Sequence, residues 1–488
     1  MSSKRKHSDD APRAGPSIDG NSTTALEDQP MAVTWPVPSA DNQFKDLYLK
    51  PPDFKQLALL DPDFAAYVKG RDLDFNDPTS VMQLTKTLLK LDFDLKIELP
   101  GDRLCPPVAN RHNYILWLKG LLDTSSYEPP GRKLVGLDIG TGASCIYPLL
   151  GCAQRPWSFI ATGNHQLMIK SDIDEKNLEY ARKNVKLNDL EARIKVVSRK
   201  PDAQLIPLDD LGIESIDFCM TNPPFYESAD EMRRSASKKS RPPSTACTGS
   251  EVEMVTAGGE VGFVERILAE SLVLRGRVQW YTAMLGFLSS ATKLLEELKA
   301  HGIDNCAVTE FVQGSKTRRW AVAWSFGGAR PAQSVARGTG SVPTRALLPP
   351  VTEVDVLSLR LPGGGVGGFA SRFSGAIGGL ELLSWDWDVE KFEGVGRAVG
   401  NVWNRAWRRR KKKREVESRT AGSERDTGET PGAAGFGFLV WVKVVRQDEV
   451  SIGSRWLEGH DGTIFESFQG FLKTTAQALT AGRDGETS

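Results

Sequence analysis

The residues whose order carries the most chemistry are Asn222-Pro223-Pro224-Phe225. Two adjacent prolines stiffen the turn and leave carbonyl oxygens without competing N–H donors. The exocyclic amine of adenine has two hydrogens and a lone pair delocalised into the ring. If the Asn222 side-chain oxygen and the Pro223 carbonyl each accept one hydrogen, the nitrogen is held toward tetrahedral geometry and its lone pair is released toward an electrophilic methyl group. Catalysis of that kind is positioning and electrostatics, and it needs neither a metal nor a strong general base. Phe225 offers a face for an extruded base, a contact worth about 1–3 kcal/mol. Taken alone, the tetrapeptide reads first as a strand ending in an Asx-Pro turn with Phe225 buried, and its place after the fourth strand, with the cofactor turn and strand-two acid, favours the pocket.

A second cluster supplies context. Asp138, Gly140, Gly142 and Ser144 form a D-x-G-x-G turn. Its glycines let the backbone approach a ligand, and the unpaired N–H groups of a following helix face that ligand. Further on, Asp172 stands where a doubly wound fold presents a carboxylate to ribose hydroxyls, although it serves equally as a helix N-cap. The D-x-G-x-G spacing differs from the dinucleotide G-x-G-x-x-G and points to S-adenosylmethionine. Asp138, Gly140, Gly142, Ser144 and Asp172 are therefore candidate cofactor contacts, and Asn222, lying between the two clusters, is counted with both sites.

The elements that must position these residues alternate. Strands are predicted over Lys133–Asp138, Trp157–Thr162, Ile194–Ser198, Ser215–Met220 and Val278–Met284, with helices over Asp174–Leu187, Val261–Leu274 and Ala291–Ala300. A closing strand pair is predicted at Ala307–Val312 and Trp320–Phe326. This is the pattern of an α/β, doubly wound, Rossmann-like class I methyltransferase sheet with its crevice at the strands' carboxyl ends. The motifs fall just after strands, as that geometry requires.

At 488 residues the chain is long enough for more than one core. Residues 1–40 read as a disordered tail and 41–130 as a small helical RNA-binding lead-in, with a helix at Ser80–Leu91. Residues 131–327 form the methyltransferase domain, 328–350 a linker, and 351–480 a small α+β module with a basic flexible insert near 390–435. In that module strand-like runs lie at Val354–Leu361 and Phe436–Val445, and a helix at Gly462–Ala476. The 62 basic and 62 acidic residues cancel, so any nucleic-acid signature has to be local. Six scattered cysteines give neither a metal-ligand spacing nor a disulfide framework, so no metal is expected. No apolar run reaches the roughly 20 residues of a membrane span, so no membrane partner is expected either.

The local basic clusters follow the motif. Arg233, Arg234, Lys238, Lys239 and Arg241 lie in an acid-free stretch from Met232 to Ser250, read as a long loop that grips phosphates or stays solvated. Lys316, Arg318 and Arg319 form a second candidate phosphate contact. The run Arg408 to Arg414 reads as a nuclear-localisation signal, which places the protein in the nucleus, with the cytoplasm as a further site.

Over roughly Asn42 to Phe326 the sequence resembles the methyltransferase-like-16 group of RNA adenine-N6 methyltransferases, whose relatives include bacterial ribosomal RNA enzymes. The resemblance lies in Lys50-Pro51-Pro52-Asp53-Phe54, Asn110–Trp117, Asp138–Leu150, Phe218–Phe225, Gly258-Gly259-Glu260 and Arg319–Phe326. It implies methylation of adenosine in U6 small nuclear RNA or a similar structured RNA, with S-adenosylmethionine as donor. Arg111, Gly140, Ser144 and Asp172 would contact the cofactor, and Asn222 to Phe225 would hold the base. Arg455-Trp456-Leu457-Glu458-Gly459 and the helix after it resemble the group's accessory RNA-binding module. One departure is the insertion Gly163–Ser171, which separates Thr162 from Asp172 where relatives run straight from strand to acid. The competing readings are an RNA-binding protein with an impaired methyltransferase site, and an N-P-P-F enzyme acting on DNA adenine or protein glutamine.

Overall fold

In a computed structural model the described residues are 39–481, except 71, 102, 165–172, 201, 238–250, 314–316, 343–344, 362–364, 408, 410–434 and 447. The lead-in contains helices α1 (Ser39–Lys45), α2 (Phe54–Leu60), α3 (Pro62–Ala65), α4 (Pro78–Phe93) and α5 (Val108–Thr124), with a minimal hairpin of β1 (Val68–Lys69) and β2 (Asp72–Leu73). Asp53 and Asp77 begin α2 and α4 by accepting the orphan N–H groups of the first turn, and Pro78 occupies the first helical position, where its missing N–H costs nothing. Asp94 ends α4 in a left-handed conformation. Asp41 on α1 is buried between Lys119 of α5 and Arg155, and Arg155 also pairs with Asp123. This lead-in is packed into the core and is not a separate lobe. Leu89, Phe93, Ile115 and Leu118 share one apolar cluster with Leu149, Phe159 and Phe218 of the sheet domain.

The sheet domain runs β3 (Val135–Ile139), α6 (Ile146–Gln154), β4 (Ser158–Asn164), α7 (Ile173–Leu187), β5 (Ile194–Arg199), β6 (Ile216–Thr221), α8 (Ala229–Ser237), α9 (Glu251–Met254), α10 (Gly259–Leu274), β7 (Val278–Leu285), α11 (Leu288–Ala300), β8 (Cys306–Gln313) and β9 (Thr317–Trp324). Its strand order is β10-β8-β9-β7-β6-β3-β4-β5, where β10 is Arg337–Gly338. The strands β5, β4, β3, β6 and β7 are mutually parallel, and β9 runs antiparallel between β7 and β8. The fold is thus the expected α/β Rossmann-like sheet, with every core strand found within a few residues of its expected place. The topology reverses at β3, whose neighbours β4 and β6 leave toward opposite sides, and the two motifs flank that point.

Two expectations about organisation need correction. Residues 328–350, expected to be a linker, carry the short helix α12 (Gln333–Ala336) and β10, which pairs in parallel with β8 and so extends the main sheet. Arg330 and Ala336 in this stretch are buried. The region near 390–435, expected to be a flexible insert, begins inside a folded sheet. The strands β11 (Glu353–Arg360), β12 (Ser384–Asp388), β13 (Glu393–Ala398), β14 (Phe436–Arg446) and β15 (Glu449–Glu458) form an antiparallel sheet of order β11-β15-β14-β13-β12. The helices α13 (Val366–Gly378) and α14 (Gly462–Ala481) close one face over Phe373, Phe436, Phe438, Phe468 and Leu472. Most of the basic run falls outside the described residues, though Arg409 is exposed.

Candidate active site

Strand register brings the two motifs side by side. Ile139 of β3 pairs with Thr221 of β6 and with Thr162 of β4, so Gly140 and Asn222 leave adjacent strands at the same level. Three bonds fix that edge: the Thr221 hydroxyl donates to the Ile139 carbonyl, and the Gly140 and Thr141 amides donate to the Thr162 carbonyl at 3.0 and 2.8 Å. The loop can fold over Thr162 because Gly140 and Gly142 sit at φ of 79° and 63°, where a side chain would be strained. A Cβ at either glycine would meet nothing within 4 Å, so these positions border open space.

Burial without partners marks the residues that face that space. Both carboxylate oxygens of Asp138, the Thr141 hydroxyl, the Asn222 side-chain oxygen and the Asn110 side-chain oxygen are buried and lack a hydrogen-bond partner. Folded proteins satisfy nearly all such atoms, since leaving one unpaired costs about 1–3 kcal/mol. Burial pushes the Asp138 carboxyl up to about 7, more than the Thr141 hydroxyl and the Arg111 charge pull it down. Arg111 is buried, donates to the Tyr147 hydroxyl at 3.0 Å and lies over that ring. Ser144 is buried at the turn into α6, where Cys145 takes a left-handed conformation.

The acceptor half is built from three segments. Pro223 is buried while Pro224 and Phe225 are half-buried. Tyr226 is clipped to the segment before α10, its amide donating to the Met254 carbonyl at 2.9 Å and its carbonyl accepting from Thr256. Gly286 passes so close to Phe225 that a Cβ there would lie 2.7 Å from the ring. Glu260, buried at the start of α10, holds this loop by accepting from the Gly286 and Phe287 amides at 2.7 and 3.1 Å. Burial raises the Glu260 pKa against those bonds. The Arg319 guanidinium lies over the Phe225 ring, 5.2 Å from its centroid, and burial followed by the neighbouring Arg111 charge lowers its pKa.

The expected site residues therefore divide. Asp138, Gly140, Gly142, Ser144, Asn222, Pro223, Pro224 and Phe225 share the carboxyl edge of β3 and β6, with Arg111 felt electrostatically by both Asp138 and Arg319. Asp172 lies outside the described residues. The insertion before it begins as a continuation of β4, in which Gly163 and Asn164 pair with Ser198 and Arg199 of β5. Arg319 belongs to the acceptor site and not to a surface patch, whereas Arg318 beside it is exposed and paired with Glu310. Arg233 and Arg234 sit on helix α8 and not in a loop, Arg233 pairing with Asp230 at 3.1 Å. Lys238, Lys239, Arg241 and Lys316 lie outside the described residues. Asn110, Thr141 and Glu260 were not singled out as site residues, although Asn110 and Glu260 stand in quoted motifs and Thr141 sits inside the glycine turn.

A family profile described as RNA methyltransferase matches residues 39–328. The RNA N(6)-adenosine-methyltransferase METTL16 of Mus musculus is 44% identical over 59% of this chain and 51% of its own length. The U6 small nuclear RNA (adenine-(43)-N(6))-methyltransferase of Schizosaccharomyces pombe is 41% identical over 55% of this chain and 66% of its own length. A crystal structure of the hMettl16 catalytic domain in complex with MAT2A 3'UTR hairpin 1 is 44% identical, with a TM-score of 0.50 over 57% of this chain and 92% of that one. The chain spans about half the length of the vertebrate relatives it matches.

Proposed function

The chain belongs to the RNA methyltransferase family whose profile covers residues 39–328, and from that premise we propose that it transfers a methyl group to the N6 amine of an adenine in structured RNA, with U6 small nuclear RNA as the substrate to try first. The observation that carries this reading is the Asn222 side-chain oxygen, buried, without a partner and level with the open glycine turn. A buried amide oxygen that forgoes its bond at a measurable cost is one kept for a ligand N–H.

S-adenosylmethionine, when bound, supplies an electrophilic methyl group. The turn fits such a molecule: Gly140 and Gly142 leave room, while Asp138 and Thr141 offer buried acceptors that have no hydrogen-bond partner among the described residues. Asp138, Gly140, Gly142, Ser144 and Arg111 are the residues that would hold it, and the sequence adds Asp172, outside the described residues, as the ribose acid. The chain's own work in the reaction is to orient. Asn222 and the Pro223 carbonyl accept the two amine hydrogens and release the lone pair. Phe225, backed by Gly286 and held by the Glu260-anchored loop, bears the base, and Arg319 puts a positive charge beside it for an adjoining phosphate. No general base is required until the product sheds its proton.

The C-terminal sheet is read as the accessory RNA-binding module, and the run Arg408 to Arg414 as a nuclear import signal. The test is transfer of labelled methyl to a U6 transcript, with digestion to nucleosides, for wild type and Asn222→Ala. Label in N6-methyladenosine that the variant loses is the expected result. Label on a DNA adenine or a peptide glutamine but not on RNA would replace the substrate. RNA binding without cofactor binding would make the chain a scaffold.

A further inference from the structure

The polypeptide between the two folded units is built as a joint. Where β9 ends, Gly328, Ala329 and Arg330 run against the end of β15: the Gly459 amide donates to the Gly328 carbonyl, Ala329 forms an antiparallel bridge with Glu458, and the Arg330 amide donates to the Leu457 carbonyl at 2.8 Å. The Arg330 side chain is only 1% exposed. Its guanidinium lies 3.7 Å from the centroid of the Trp456 ring, donates from Nε to the Gly459 carbonyl at 2.9 Å, and forms a two-oxygen pair with Asp304 of the methyltransferase domain at 3.0 and 3.2 Å. One buried cation thus holds the loop before β8 and the end of β15 together.

A second set of contacts reaches the lead-in. Arg455 donates to the carbonyls of Thr124 and Arg330 and pairs with Glu353 at 3.5 Å. Tyr127, just beyond α5, donates to Glu458, which also takes both bonds from Arg397, while the Arg397 guanidinium lies over the Tyr127 ring. Gly437 on β14 is tied to this approach, because a Cβ there would coincide with the Tyr127 hydroxyl. Contacts this specific, drawn from seven separated stretches of chain, differ from the loosely fitted surfaces that let domains move.

We propose that Arg330 is a positioning residue for RNA: it locks the C-terminal sheet onto the methyltransferase domain, so that one structured RNA meets two surfaces at a fixed spacing. The inference rests on the proposed RNA methyltransferase reading and, with it, on the C-terminal sheet being that enzyme's accessory RNA-binding module. Two sites held at a matched distance act as one, and that gain is lost when the second only trails on a tether. A substrate long enough to touch both units would therefore depend on the joint, and one filling only the acceptor site would not.

The experiment uses the full chain as wild type, Arg330→Ala and Glu458→Gln, the last weakening the Tyr127 and Arg397 contacts without opening the Trp456 stack. Small-angle scattering of each is paired with methyl-transfer kinetics on a long structured transcript and on a minimal hairpin around the target adenosine. Expected are a larger radius of gyration in the variants and a KM for the long RNA raised about tenfold, with kcat and the hairpin KM unchanged. Unchanged scattering, or an equal rise in KM for both RNAs, would overturn the proposal. If wild type methylates neither RNA, the functional reading has failed, and direct binding of the two transcripts stands in for KM, judged by the same rule.

Discussion

The carboxyl edge of β3 and β6 and the joint around Arg330 treat buried polar groups in opposite ways. At the edge, Asp138 and Thr141 are buried, and their side-chain oxygens, with that of half-buried Asn222, lack a hydrogen-bond partner among the described residues. At the joint, Arg330, Tyr127, Glu458 and Arg397 are each held by one or more side chains or carbonyls, and Arg455 donates from its terminal nitrogen while its buried Nε has the Glu353 charge at 3.5 Å but no hydrogen bond. Both clusters use charge and burial, but only the second uses them to stabilise the fold. The first keeps its desolvated atoms in reserve at a cost of about 1–3 kcal/mol each. An unsatisfied cluster marks where a ligand completes the structure, and a satisfied one marks where the structure completes itself.

The contrast breaks most visibly at Asn222. Replacing it with Ala removes an acceptor that the folded protein does not use, so thermal stability should hold or rise slightly while methyl transfer falls by about a thousandfold, the scale set by losing one preorganised transition-state contact. RNA affinity should change little, because no phosphate contact is removed. A variant that unfolds or loses RNA binding would show that Asn222 is structural and belongs with the joint.

Asp138 comes next, and its test is pH. Its folded pKa of about 7 lies above the ordinary carboxyl value, because burial disfavours the charge. The folded state therefore keeps a proton that the unfolded chain gives up near pH 4. The stability contributed is fully present below that pH and is lost as pH rises through about 7, at up to about 1.4 kcal/mol per unit. Thermal melts of the ligand-free protein between pH 4.5 and 7.5 should show wild type losing stability relative to Asp138→Asn. By calorimetry, the same variant should bind S-adenosylmethionine about 10- to 100-fold more weakly, the value of a charged hydrogen bond. Equal pH slopes would mean that Asp138 has a partner in solution.

Much of this was legible in the sequence, and the parts that were not have physical reasons. The strands of the main sheet are apolar runs closed by motifs, and their register follows from parallel pairing, so Asn222 beside Gly140 could be expected. Helix α5 could not be placed, because it is buried on nearly every side and shows no polar stripe to set a period. Strand β13, Glu393 to Ala398, falls inside the stretch expected to be a flexible insert, and its Gly394 and Gly396 give no strand signal. Those glycines are instead the floor under Trp385, Trp387 and Phe438, where a Cβ would come within 2.3–2.6 Å of a ring. Arg330 was passed over in a Gly- and Ala-rich stretch because its partners, Asp304 and Trp456, are remote in sequence. At the site, Arg318 and Arg319 are adjacent and alike in type, yet strand alternation sends one to solvent and one toward Phe225.

Phe225 should give an intermediate effect that sharpens the difference between acceptor and platform. Phe225→Ala removes the stacking face but leaves Asn222 in place, so RNA should bind with a KM raised roughly tenfold, at about 1–3 kcal/mol for a lost stack. Phe225→Tyr or Trp should recover most of it. Failure of both aromatics to rescue would mean that the ring only packs against Gly286.

The smallest effect is expected from the exposed arginines, and it tests whether exposure near the site is enough to make a contact matter. Arg233 pairs with Asp230 and Arg318 with Glu310, so each would have to exchange an intramolecular partner for a phosphate. The Arg233 pair is exposed on both sides, of a kind worth about 0–1 kcal/mol, so its exchange is cheap but the net gain small; Glu310 is largely buried and also held by Thr339 and Ser341, so losing Arg318 leaves it with partners. Arg233→Gln and Arg318→Gln should each weaken RNA binding by no more than a few-fold and lower the slope of log affinity against log salt by about one, the signature of a single lost phosphate contact. Arg319→Gln should instead cut turnover more than it alters the salt slope, because its half-buried guanidinium lies over the Phe225 ring. If Arg318 and Arg319 gave the same salt slope and the same kinetics, strand alternation would not separate a surface contact from a site residue, and the line between reserved and satisfied charge would have to be redrawn.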